Sequence, residues 1–122
     1  MVHNGLAWSF SAFLSKYVTV LNSDFVGARA IGFAVKSSSN ITIDGIFSGD
    51  VMRRPEYSAA GQTDVEACVS ICAMKQPDFC YNNTLMNSVA AGCHYAGFVV
   101  PGHACGQSAT QKSFRNNVAH SV

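Results

Sequence analysis

Short apolar runs alternate with small polar corners along the chain, and the clearest stretch of this pattern occurs twice. Residues 84–100 (TLMNSVAAGCHYAGFVV) align without a gap on residues 19–35 (TVLNSDFVGARAIGFAV), at an offset of 65, and seven aligned positions are identical. Internal self-similarity of this kind indicates one structural unit that stacks on copies of itself.

Each copy predicts three short strands separated by tight corners. The first apolar run ends in Asn-Ser, where a polar side chain can hydrogen-bond to nearby backbone and turn the chain. The second run ends in Gly27 or Gly92, a residue that is free to adopt positive φ. The third run alternates as a strand does, with its large side chains two residues apart. Three strands joined by corners predict one coil of a β-solenoid.

Two partial copies extend the pattern. Residues 40–45 match residues 17–22 at an offset of 23, and residues 114–119 match residues 85–90 at an offset of 29. Coils of roughly 20–30 residues lie within the periods known for repeat proteins. The sequence therefore predicts an all-β fold, a segment of a right-handed parallel β-helix.

The coils are expected in residues 1–51 and 81–122, which together with the intervening segment form a single domain. Strands are expected near residues 17–21, 24–26, 30–35, 40–43 and 46–48. Residues 8–10 align with residues 31–33, which favours a strand there, although a helical face fits the same stretch. Successive coils of a parallel β-helix stack like side chains, so Val18 is expected beside Ile41 and Val20 beside Ile43.

Residues 52–80 interrupt the repeat and predict a cysteine-containing loop with a short helix. Thr63 and Glu66 fit a helix capping box, and Pro77 ends the segment. The residues at helical spacing that follow the cap are Val65, Cys68, Val69 and Cys72. A strand remains open as the alternative, because Val69, Ile71 and Ala73 alternate.

Composition excludes several classes of function. Charged residues make up 12% of the 122 positions and the formal net charge is +1, so no basic patch indicates a nucleic-acid partner.

No apolar run has the length of a membrane span, and no direct membrane insertion is expected. The apolar run at residues 6–14 lacks a preceding lysine or arginine and is not a convincing signal peptide. We expect the sequence to be a segment of a larger chain.

Cysteines and glycosylation sequons favour an oxidising compartment. The chain has five cysteines, an odd number that leaves at least one thiol free or paired outside the chain. Two acceptor sequons, Asn40-Ile41-Thr42 and Asn82-Asn83-Thr84, make Asn40 and Asn82 candidate glycosylation sites. The expected location is therefore extracellular or at the cell surface.

Several strings resemble one known family. The segment from Ile71 through Thr84, the string GFVVPGHACG at residues 97–106 and the string NVAHS at residues 117–121 are similar to the parallel β-helix repeat region of fibrocystin-like proteins. The resemblance implies a β-helix within a large extracellular, often membrane-anchored protein. Related β-helices occur in cell-surface hyaluronan-degrading proteins. The chain contains no G8 domain, immunoglobulin-like repeat or anchor of the kind those proteins have.

The cysteines predict structural disulfides rather than a metal site. A zinc site needs paired spacings such as C-x₂-C with H-x₃-H, and the cysteines and histidines do not reproduce them. No metal and no cofactor is expected. The candidate disulfide residues are Cys68, Cys72, Cys80, Cys93 and Cys105. Connectivity does not follow from sequence. Our hypothesis is a Cys72–Cys80 bond, with Cys105 bonded to Cys93 or Cys68.

Two functions are compatible with these observations. The first is an extracellular structural and interaction module without chemistry of its own, with neighbouring β-helix coils of a parent chain, glycans or cell-surface proteins as partners. The second is a fragment of a carbohydrate-active hydrolase or lyase, with Asp24, Asp44 and Asp50 as its candidate catalytic carboxylates, because paired carboxylates can divide acid and base roles. Aspartates at corners also commonly cap turns, and this reading favours the first function.

Overall fold

Thirteen short β-strands form the regular structure of the chain in a computed structural model, which describes residues 2–3, 8–52, 67–72, 80–100 and 113–121. The described residues contain no helix. The strands are β1 (Val2–His3), β2 (Trp8–Phe13), β3 (Thr19–Leu21), β4 (Asp24–Val26), β5 (Ile31–Lys36), β6 (Thr42–Asp44), β7 (Phe47–Val51), β8 (Ala67–Ile71), β9 (Thr84–Met86), β10 (Val89–Cys93), β11 (Ala96–Val99), β12 (Phe114–Arg115) and β13 (Val118–His120).

The strands form three sheets, and the chain visits the sheets in strict rotation. Sheet one has the order β1-β4-β7-β10-β13, sheet two β11-β8-β5-β2, and sheet three β12-β9-β6-β3. Every pairing between these strands is parallel. We call three successive strands, one from each sheet, a coil. Each coil therefore lies in register on the preceding one, and the structure confirms an all-β chain of parallel strands.

The core consists of side-chain ladders that run across the coils, one ladder per sheet. In sheet three the ladder follows the pairings of Val20, Ile43, Leu85 and Phe114. In sheet two it follows Phe10, Phe33, Val69 and Phe98. In sheet one it follows Phe25, Ser48, Ala90 and Ala119. Because alternate residues of a strand point to opposite faces, these in-register positions meet inside the coils.

The register agrees with the offsets seen in the sequence. Val20 pairs with Ile43 at an offset of 23, Trp8 pairs with Ile31 at the same offset, and Phe114 pairs with Leu85 at an offset of 29. The prediction of a strand at the start of the chain is therefore confirmed over Trp8–Phe13. The long offset of 65 spans two coils, because Thr19 pairs with Thr42 and Thr42 pairs with Thr84.

Corner residues with positive φ recur at four places around each coil. They follow the strands of sheet two (Leu14, Ser37, Cys72), precede the strands of sheet three (Tyr17, Asn40, Asn82), follow the strands of sheet three (Asn22, Gly45, Asn87, Asn116), and lie near the ends of the sheet-one strands (Gly27, Asp50, Gly92, Ser121). All of the described residues with positive φ belong to these four columns. Asparagine tolerates the left-handed conformation better than most residues.

The predicted helix near residues 52–80 is wrong where the structure describes that segment. Ala67–Ile71 is a strand that pairs with β5 on one side and β11 on the other. All five of its residues are buried, and Val69 lies between Phe33 and Phe98 in the ladder. This strand belongs to the coils, so the segment is not one continuous insertion between them. The capping box at Thr63 and Glu66 lies outside the described residues, as do residues 53–66 and 73–79.

A phenylalanine cluster fills the centre of the core. The ring of Phe33, which is 0% exposed, stacks on Phe10 at a centroid distance of 4.7 Å. The Phe25 ring meets Phe33 edge-on at 5.1 Å. These three rings come from neighbouring strands of sheets one and two. They join the two sheets because offset-stacked and edge-to-face aromatic pairs add to the area that each ring buries.

Truncation of the central ring tests this packing. We expect Phe33→Ala to lower the free energy of unfolding by about 3–5 kcal/mol, because the substitution leaves a cavity between the sheets. Phe13→Ala is the matched control, since Phe13 lies in the adjacent strand and is 59% exposed. Its expected effect is about 0.5 kcal/mol or less. Urea unfolding followed by intrinsic fluorescence measures both, and equal losses for the two variants would contradict the ladder.

Candidate functional site

The three candidate carboxylates lie at or near the ends of their strands. Asp24 begins β4 and is in register with Phe47. Asp44 ends β6, and its Oδ1 atom accepts a 2.7 Å hydrogen bond from Nδ2 of Asn87. Asp50 lies in β7, three residues beyond Phe47 and about 10 Å further along sheet one, and has positive φ. Asp24 and Asp44 therefore flank the same kind of corner in adjacent coils, whereas Asp50 lies near the far end of its strand.

No metal cluster accompanies these carboxylates. Within the described ranges, no group of three or more histidine, cysteine, aspartate or glutamate side chains could hold a metal ion. The interaction of Asp44 with Asn87 is a structural one, because it connects the corners of two adjacent coils. Asp44 thus has a structural partner, whereas the turn-capping roles of Asp24 and Asp50 stay predictions.

An exposed polar ladder follows the corner after sheet three. Asn87 donates from Nδ2 to Asp44, and Asn116 donates from its own Nδ2 to Oδ1 of Asn87 at 3.2 Å. The ladder spans three successive coils. Sequence reasoning missed these bonds, although the alignment of Asn22 with Asn87 placed asparagine at this corner. The ladder aligns the corners, because a displaced coil would break its hydrogen bonds.

A second set of polar side chains points into the coils beside the corners. Asn83, only 5% exposed, accepts a 3.0 Å hydrogen bond at Oδ1 from the backbone N–H of Ile41, and its Nδ2 donates to the carbonyl of Ser38 at 2.9 Å. Asn117 does the same one coil later, with the N–H of Ser88 and the carbonyl of Leu85. Backbone groups of the preceding coil, at or near its corners, gain side-chain hydrogen-bond partners in this way.

Two disulfides fix the region around β8. The Cys72–Cys80 bond closes the segment that contains Pro77, and this is the pairing expected from the sequence. The second bond joins Cys68 of β8 to Cys93 of β10, so it connects sheet two to sheet one. The expectation that Cys105 bonds to Cys93 or Cys68 is wrong, because those two cysteines bond to each other. Cys105 itself lies outside the described residues.

The two sequon asparagines lie in one corner column. Asn40 and Asn82 both have positive φ, at 56° and 54°, and the backbone N–H of Asn40 donates to the carbonyl of Tyr81 at 3.1 Å. Nδ2 of Asn82 lies 3.5 Å from Oδ1 of Asn40. Thr42 and Thr84, the hydroxyl residues of the two sequons, are register partners. The structure thus stacks one complete sequon on the other.

A shallow groove lies beside the sequon column, at the corner between sheets two and three. Its volume is about 250 Å³, and its lining consists of Leu14, Ser15, Lys16, Ser37, Ser39 and Tyr81. Tyr81 is 49% exposed and Lys16 is exposed as well. This volume is somewhat below the roughly 300–1,000 Å³ of typical small-molecule sites, so the groove is an open surface rather than an enclosed pocket.

Comparisons with known proteins give no relative for this chain. No protein-family model matches it, no curated protein sequence matches it, and no solved structure matches its fold. The cellular compartment is therefore inferred from the disulfides of the chain. Two disulfides are typical of proteins in oxidising compartments. The described part of the chain holds no helix suited to crossing a membrane.

The inward asparagine provides a test of the corner architecture. Asn83→Ala leaves the N–H of Ile41 and the carbonyl of Ser38 buried without partners, at about 1–3 kcal/mol each. We expect the free energy of unfolding to fall by about 2–5 kcal/mol. Ser11→Ala, a polar truncation at an exposed position of β2, should change it by about 0.5 kcal/mol or less. Thermal and denaturant unfolding provide the comparison, and an unaffected Asn83→Ala variant would contradict the assignment.

Proposed function

We propose that this chain is a segment of a right-handed parallel β-helix and serves as a structural and interaction module of an extracellular, fibrocystin-like protein. The strict rotation of parallel strands through three sheets supports the β-helix. Its handedness follows from the general rule that crossovers between parallel strands of one sheet are right-handed in about 98% of cases. The family assignment is supported by the sequence strings at residues 97–106 and 117–121.

The observation that carries this proposal is the exposure of the core ladders at the last described coil. Leu85 is 1% exposed, whereas Phe114, its partner in the next coil, is 40% exposed. In sheet one, Ala90 is 0% exposed and its partner Ala119 is exposed. We call Phe114 and Ala119 the open end of the core.

The open end suits a neighbouring coil as its partner. β12 and β13 are the last strands of sheets three and one, so within the described residues each has one edge that no strand of its sheet pairs with. An unpaired edge beside exposed apolar side chains is a template for another β-strand. A further coil in the same register would cover Phe114 and Ala119 as β12 and β13 cover Leu85 and Ala90. Such stacking makes the segment a structural unit of a longer assembly.

The extracellular setting rests on the covalent chemistry of the chain. Two disulfides and two stacked sequons agree with folding in a secretory compartment.

The groove beside Tyr81 provides a surface for a glycan partner, with a tyrosine ring and the ammonium group of Lys16 on its lining. The alternative function, a carbohydrate-active enzyme, would need Asp24, Asp44 and Asp50 to act together, and the hydrogen bond between Asp44 and Asn87 supports a structural role for that carboxylate instead.

Self-association of the chain on its own tests the proposal. We expect the purified chain to form dimers or larger species through the open end, because buried apolar area drives association. Phe114→Glu should raise the dissociation constant about tenfold or more. The control is Met52→Glu, since Met52 is 50% exposed but lies at a corner in the middle of the stack. Light scattering and sedimentation over a concentration series measure both variants.

Two results would count against the module. A chain that stays monomeric at all concentrations shows that the open end needs no partner. Equal effects of Phe114→Glu and Met52→Glu show that association arises from general surface hydrophobicity instead.

A further inference from the structure

The two sequons differ in how the fold presents their asparagines. The side chain of Asn82 is exposed, whereas that of Asn40 is half-buried. In the corner column, Tyr17 lies in the coil before Asn40, next to the bridge between Lys16 and Ser39, and Asn82 lies in the coil after it. A group attached to Asn40 would therefore lie beside the amide of Asn82.

The amides of Asn82 and Asn40 meet at 3.5 Å, and modification of Asn82 is compatible with this contact. Asn82 is the donor through Nδ2, and Asn40 is the acceptor through Oδ1. An amide nitrogen carries two hydrogens, so a sugar on Nδ2 of Asn82 leaves one N–H for Asn40. The bond between the coils therefore survives modification of Asn82.

Double modification is unfavourable at this corner. Neighbouring parallel strands lie about 4.8 Å apart, and the register places Thr84 directly on Thr42. Two glycans attached two residues before these threonines would compete for the same space. The corner can thus hold one glycan without distortion.

The position of Asn82 itself is fixed by its neighbours. Asn83 is tied to Ile41 and Ser38 by buried hydrogen bonds, and Cys80 is bonded to Cys72. Tyr81, the residue before Asn82, is half exposed and lines the groove. A sugar on Asn82 therefore leaves a rigid corner next to an aromatic ring, whose amphipathic surface suits a partly apolar, partly hydroxylated ligand.

We propose that Asn82 carries a single N-linked glycan and that Asn40 stays unmodified as its hydrogen-bond acceptor. The donor is an oligosaccharide linked to a lipid diphosphate. Nδ2 of Asn82 forms a bond to C1 of the first sugar while the bond from C1 to the diphosphate oxygen breaks. The lipid diphosphate leaves with the electron pair, and one proton from Nδ2 passes to a base of the transferase. The inference rests on the proposed extracellular function, since transfer occurs only in the secretory pathway.

Glycan mapping of the full chain, secreted from eukaryotic cells behind an added leader, tests this assignment. The intact mass should exceed that of the polypeptide by one glycan, and enzymatic deglycosylation should convert Asn82 alone to aspartate. Asn82→Gln and Thr84→Ala should both abolish the added mass, while Asn40→Gln should retain it. Thr84→Ser is the matched control, because it keeps the sequon with a smaller hydroxyl residue at the same strand position. The same digests without reductant record the disulfides.

The outcomes separate this inference from the proposed function. A glycan on Asn40, alone or together with one on Asn82, overturns the assignment. A secreted chain with both disulfides and two bare asparagines also overturns it, and leaves the extracellular module intact. Bare asparagines with reduced cysteines overturn both.

Discussion

The fold depends on corners that adopt the left-handed backbone conformation at the same point of every coil. This conformation is unfavourable for residues other than glycine, at roughly 1–2 kcal/mol each, yet eleven such residues adopt it among the described residues. These residues recur in four columns, so each lies at the same position of successive coils. A coil whose corner shifted by one residue would turn its next strand over, and its core side chains would face solvent. The stacked ladders thus stabilise the corners that define them.

Polar side chains at the corners form hydrogen bonds between adjacent coils, both inside the coils and on their surface. Inside, Asn83 and Asn117 hydrogen-bond to backbone groups of the preceding coil. Outside, Asn87 joins Asp44 and Asn116 into a ladder along the surface. Asp44 has this structural partner, and Asp50 takes its place in a positive-φ column. This scaffold leaves Phe114 and Ala119 exposed in the last described coil, where we propose that a neighbouring coil binds.

Sequence reasoning predicted much of this fold because identical residues recur at corners. The offsets of 23 and 29 gave the register of Val20 with Ile43 and of Phe114 with Leu85. At Ala67–Ile71 it favoured a helix and kept the strand only as the alternative, because in a strand buried on both faces the apolar residues fall equally well at helical spacing. The Cys68–Cys93 bond was equally hidden, since connectivity depends on which strands the fold brings together. The hydrogen bonds of the polar side chains could not be predicted either, because a sequence does not show in which direction each side chain points.

The most direct test of the stacked coils is amide hydrogen exchange at Ala67–Ile71, resolved by mass spectrometry of peptides. The structure places this strand between β5 and β11, buried along its whole length. Its amides should exchange as slowly as those of Ile31–Lys36 and far more slowly than those of the exposed Val118–His120. Exchange at Ala67–Ile71 as fast as at Val118–His120 would show that this segment is an excursion from the coils, and the account of the fold would fail.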